Sequence, residues 1–75
     1  MDEKAIKIGM KIKLARISRN YDQYCLANLV GVKNNDISLI ERGRNGKVNT
    51  ELFFKICSAL GLEPSELDPE RFGGK

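Results

Sequence analysis

Histidine and tryptophan are both absent from this chain. Without histidine the commonest metal ligand and the commonest acid–base group at neutral pH are missing. The two cysteines, Cys25 and Cys57, are too few and too far apart in sequence for a zinc site or a secreted disulfide framework. No GxSxG elbow, phosphate-binding glycine loop or pair of catalytic carboxylates occurs. An enzyme is therefore not expected, nor a metal or cofactor. Apolar runs are short and broken by Lys or Arg, so none has the length of a membrane span. The chain opens Met-Asp-Glu-Lys with no apolar block like that of a signal peptide, which leads us to expect a cytoplasmic protein.

What is present bounds the rest. Seventy-five residues suit one domain, and a chain this short buries only about 60% of its unfolded surface. The net charge of +3 is unevenly placed: residues 1–47 hold ten Lys or Arg against five Asp or Glu (+5), and residues 48–75 hold three against five (−2). A basic front and an acidic back suit a module that presents one side to a polyanion.

The apolar spacing is helical throughout, punctuated by glycine, and no clean two-residue alternation appears. An all-α bundle of five short helices is predicted. The first runs from about Lys4 to Arg19, with Asn20 leaving it in a left-handed conformation. The second starts after Asp22 as N-cap and ends near Val30, before Gly31. A third covers about Asn34 to Arg42 and stops at Gly43. The fourth, capped by Asn49, covers about Thr50 to Leu60, and Pro64-Ser65 open a short fifth that includes Leu67. Residues 1–67 are expected to form the domain, and 68–75, with Pro69 and Gly73-Gly74, a flexible tail. Ile8, Ile12 and Ala15, then Leu26, Ala27 and Val30, then Ile37 and Ile40, then Phe53, Ile56, Cys57 and Leu60 make a candidate core. Cys25 reads as partly exposed.

The second and third helices are joined by about three residues centred on Gly31 and Val32, the spacing of a helix-turn-helix. The ordered string Gln23, Leu26-Ala27, Val30-Gly31-Val32, Ile37-Ser38, Ile40-Glu41 and Gly43, together with Ile8-Gly9, Ile12, Arg16 and Ala59-Leu60-Gly61, resembles the Xre/Cro/phage-repressor helix-turn-helix family over about sixty residues. The resemblance implies a lambda-repressor-like fold that binds double-stranded DNA with its third helix in the major groove. It implies a transcription regulator of bacterial or phage origin, a repressor reading a palindromic operator as a homodimer. A second reading is an antitoxin or adaptor that keeps the fold and binds another protein.

By the resemblance, Asn34, Asn35, Ser38 and Leu39 face bases. Asn can pair with adenine N6 and N7, and Leu can touch a thymine methyl. Lys33 stands at the helix start near a phosphate, Gln23 opens the second helix where an amide and backbone N–H groups can grip another, and Arg42, Arg44 and Lys47 follow as phosphate contacts. Arg16 and Glu41 are expected to form a partly buried structural ion pair. Lys33 has no acceptor with which to cap the third helix. Asp22 and Asp36 set carboxylates near the expected DNA side, which favours the protein-binding reading. For Asp36 two roles stay open: accepting from a cytosine amino group, or complementing the helix N-terminus.

One feature is left over. Ile6, Met10, Leu14 and Ile17 form a second apolar stripe on the first helix, opposite its core side. Either the C-terminal segment covers it through Leu67 and Phe72, or it is a partner or dimer interface.

Overall fold

A computed structural model describes residues 3–44 and 48–72. Its six helices, among the described residues, are α1 (Glu3–Ser18), α2 (Gln23–Val30), α3 (Asn34–Glu41), α4 (Thr50–Leu60), α5 (Pro64–Leu67) and α6 (Pro69–Phe72). The first five lie within a residue or so of their expected bounds, because each is set by local chemistry. Asn20 has φ 60° after α1. Asp22 caps α2, its carboxylate accepting from the Cys25 N–H at 2.8 Å, and Asn49 caps α4, accepting from the Leu52 N–H at 2.7 Å. No described helix is long and apolar enough to cross a membrane.

The turn between α2 and α3 depends on Gly31, which sits at φ 78° where a side chain is strained, and donates its N–H to the Ala27 carbonyl at 2.8 Å. Three residues later α3 starts and packs against α2. Leu26, Ala27 and Val30 from α2 meet Ile37 and Ile40 from α3 and Phe53, Ile56, Cys57 and Leu60 from α4, all buried. Ile12 and Leu67 complete the centre, with Ile8 and Ala15 packed at its edge. Fully burying each of Ile12, Leu26, Ile37, Ile56 and Leu67 contributes about 1.5–3 kcal/mol. Gly9 lets α1 lie directly on α3: a Cβ there would land on the Ile40 and Glu41 carbonyls.

A sixth short helix follows the five expected, over part of the segment expected as a tail. Pro69 does not break the chain but occupies the first position of α6, where its missing N–H costs nothing. Asp68 is buried, and its carboxylate accepts from the Arg71 N–H at 3.2 Å and pairs with Lys4 at 3.4 Å. Phe72 stacks on Phe53 at 5.0 Å between ring centroids and lies 5.4 Å from Phe54. Residues 73–75 lie outside the described residues.

The same packing decides against the covering tail. Leu67 enters the core and Phe72 goes to α4, so Met10, Leu14 and Ile17 stay 56%, 62% and 51% exposed. Only Ile6 of that stripe is half-buried, against Gly43.

Candidate nucleic-acid interface

The helix-turn-helix unit is held by charges inside the protein. Arg16 on α1 donates to Glu41 on α3 through Nε at 2.6 Å and Nη2 at 3.1 Å, and through Nη1 to the Tyr21 carbonyl at 2.8 Å. Both residues are buried, at 8% and 6% exposure. Hydrogen bonding to Glu41 raises the Arg16 pKa further above its ordinary value, outweighing the opposite effect of burial. This two-pronged, charge-assisted pair ties α1 to the C-terminal end of α3 and fixes the angle at which α3 is presented. The expected structural ion pair is therefore in place.

Gln23 is engaged in that network. Its Nε2 donates to Glu41 Oε1 at 3.1 Å, and the residue is half-buried. The amide expected on a phosphate is thus turned inward here. Its backbone N–H, in the first turn of α2, has no helical partner of its own.

On α3 the side chains left outside the core share one arc. At 100° per residue, Asn34, Ser38, Arg42, Asn35 and Leu39 span about 140°, with Ile37, Ile40 and Glu41 on the other side. Asn35 is exposed, and Asn34, Ser38 and Leu39 are partly so. The Asn34 Oδ1 atom is buried and has no hydrogen-bond partner. Arg42 lies back along its own helix, with Nη2 donating to Ser38 Oγ at 3.1 Å and Nε to the Ser38 carbonyl at 3.3 Å. This places a guanidinium beside a hydroxyl at the end of the arc. Lys33 and Arg44 are exposed at its two ends. Lys47 lies outside the described residues.

The two carboxylates that seemed opposed to DNA have structural partners. Asp22 caps α2, and the Asp36 carboxylate turns back to accept from the Lys33 N–H at 3.2 Å. Asp36 therefore closes the start of α3 that Lys33 cannot cap with its own side chain.

A family model described as Helix-turn-helix matches residues 12–67, which contain all of α2 to α5 and the pair Arg16–Glu41. The chain belongs to the helix-turn-helix family. It is a DNA-binding, transcription-regulating fold. Among solved structures, this helix-turn-helix protein is similar to the restriction-modification controller protein C.AhdI from Aeromonas hydrophila. The TM-score is 0.81 at 29% identity, over 88% of this chain and 98% of that one. It is also similar to the clp gene regulator ClgR from Corynebacterium glutamicum in two structures. One gives TM-score 0.82 at 26% identity over 96% of this chain and 76% of that one, and the other 0.79 at 26% over 97% and 94%. No curated protein matches significantly.

Sequence reasoning missed Tyr24. It stands 69% exposed in the first turn of the helix-turn-helix, next to Gln23. The signal was available, since a tyrosine two positions before Leu26 lies about 200° round α2 from the start of its core stripe.

Proposed function

We propose that the protein is a sequence-specific repressor that binds a palindromic operator in double-stranded DNA as a homodimer, in a bacterial cytoplasm, with α3 in the major groove. The observation that carries this reading is the outer arc of α3. Polar and apolar side chains suited to base edges (Asn34, Asn35, Ser38 and Leu39) lie between the cations Lys33, Arg42 and Arg44, on a helix braced from behind by the Arg16–Glu41 pair. The unpartnered Asn34 acceptor fits a side chain that rotates at little cost toward a donor in the groove, since leaving it unpaired costs about 1–3 kcal/mol. Pairing follows from reach. Eight residues of α3 are about 12 Å long and read only a few base pairs, so specificity calls for two half-sites about 34 Å apart.

The adaptor reading drew its support from Asp22 and Asp36. Both are engaged in helix caps and oppose DNA less than their sequence positions suggested. Selection from random duplex DNA is the deciding experiment, and recovery of an inverted repeat is the expected result. Asn35→Ala then weakens the best site by about 1–3 kcal/mol and relaxes one base position, whereas Arg44→Ala weakens every sequence alike. Failure to enrich any duplex sequence, with the protein folded, overturns the proposal.

A further inference from the structure

We propose that the outer face of α1 docks an amphipathic helix with acidic flanks from a partner protein, an interaction separate from DNA binding. Met10, Leu14 and Ile17 project from α1 at i, i+4 and i+7, each more than half exposed. Together they leave on the order of 300 Å² of apolar surface open, comparable to the largest such patch on a typical monomer, which is often functional. The segment of this chain that could have covered them is packed elsewhere, Leu67 in the core and Phe72 against Phe53.

Charge identifies the occupant. At 100° per residue, Lys7 lies about 20° beyond Leu14 on one edge of the stripe, and Lys13 lies about 20° beyond Ile6 on the other. Among the described residues no hydrogen bond or ion pair holds either lysine. By contrast Lys4 meets Asp68 and Glu70, Lys11 donates to the Glu66 carbonyl, and Arg16 holds Glu41. The only acid on α1 is Glu3, in its first turn. The stripe is therefore a short apolar seam with a lysine on each side, the pattern in which flanking charge selects the partner helix.

A second copy of the chain fits poorly. It would set lysine edges against lysine edges, and the patch falls well short of the roughly 800 Å² per partner that a stable dimer buries. A lipid surface also fits poorly, because the seam has no aromatic anchor and α1 is fixed to the core through Ile12 and Arg16. A helix presenting Leu at matching positions with Glu on both sides answers the seam and both lysines at once. The lysine stems then add apolar cover.

The test uses the full chain and two labelled synthetic helical peptides with the same Leu seam, one flanked by Glu and one by Lys, followed by fluorescence anisotropy. The Glu-flanked peptide is expected to bind saturably, more weakly as salt rises, and the Lys-flanked one not to bind. Lys7→Glu with Lys13→Glu, both at exposed positions outside the α3 arc, should lower affinity for the first peptide about tenfold or more and admit the second. Leu14→Glu should abolish binding of the Glu-flanked peptide, with circular dichroism as the check on folding. If Leu14→Glu unfolds the protein, the exchange of preference by the lysine variant still decides. Four results overturn the proposal. One is failure of the folded parent to bind the Glu-flanked peptide, and a second is equal binding of both peptides. Another is a dimer in sedimentation that Leu14→Glu dissolves. The fourth is tighter binding to phosphatidylglycerol vesicles than to the Glu-flanked peptide. DNA binding of the lysine variant, measured alongside, is expected to hold, so failure here leaves the operator reading standing.

Discussion

Replacing Glu41 by Ala removes the acceptor for three hydrogen bonds: Arg16 Nε at 2.6 Å, Arg16 Nη2 at 3.1 Å and Gln23 Nε2 at 3.1 Å. Arg16 would keep only its bond from Nη1 to the Tyr21 carbonyl. Its side chain is 10% exposed, so water cannot replace the lost carboxylate without opening the contact between α1 and α3. Removing one member of a buried pair costs about 3–5 kcal/mol. A domain of this length has roughly 4–11 kcal/mol in all, so the change takes a large share. At about 4–8 °C per kcal/mol, the melting temperature should fall by roughly 12–40 °C in a thermal melt followed at 222 nm. Glu41→Gln retains one acceptor and should lose about half as much. Arg16→Met combined with Glu41→Leu removes both charges and should come back close to the parent, because apolar replacement of a whole buried pair is often neutral. Arg16 adds no pH dependence in the working range. A cation whose folded pKa is raised stabilises at every pH below its ordinary, strongly alkaline value and loses this only above it. A loss below about 1 kcal/mol in Glu41→Ala, the value for an exposed pair, would refute the reasoning.

Gly9→Ala should lower the melting temperature by about 5–15 °C. Its Cβ meets the Ile40 and Glu41 carbonyls, and the resulting displacement outweighs the roughly 1 kcal/mol that alanine gains in helix propensity. An unchanged melt would mean that α1 does not sit directly on α3. Ellman's reagent should titrate one thiol quickly in the native protein, the partly exposed Cys25, and the second only on unfolding, since Cys57 is buried. Burial, then the charges of Glu63 and Glu66, push the Cys57 thiol pKa up from its ordinary 9.0. Stability linked to that thiol is complete below about pH 9 and declines as pH rises past it. Cys57→Ala, though less stable overall, should show a flatter alkaline decline. Operator affinity should fall with salt at a log–log slope of about −5 if Lys33, Arg42 and Arg44 of two protomers each neutralise a phosphate. A slope near zero would remove phosphate contact from the account.

The sequence by itself determined the features whose causes lie within about four residues of one another. The ends of α2 and α4 follow from Asp22, Gly31, Asn49 and Gly61, and the helix-turn-helix spacing follows from the two apolar stripes around Gly31-Val32. The core was legible for the same reason, since helical period alone puts Leu26, Ile37 and Ile56 inside. Tertiary structure decided whatever depends on partners distant in sequence. Gln23 reaches Glu41 across 18 residues, which turns an expected phosphate ligand inward. Asp68 and Phe72 gain partners in Lys4 and Phe53, which makes a sixth helix from a segment whose Pro and Gly read as a tail. Periodicity placed Ile6, Met10, Leu14 and Ile17 on one side of α1, but it carries no information about what lies opposite. Packing alone set Ile6 against Gly43 and left the other three facing solvent.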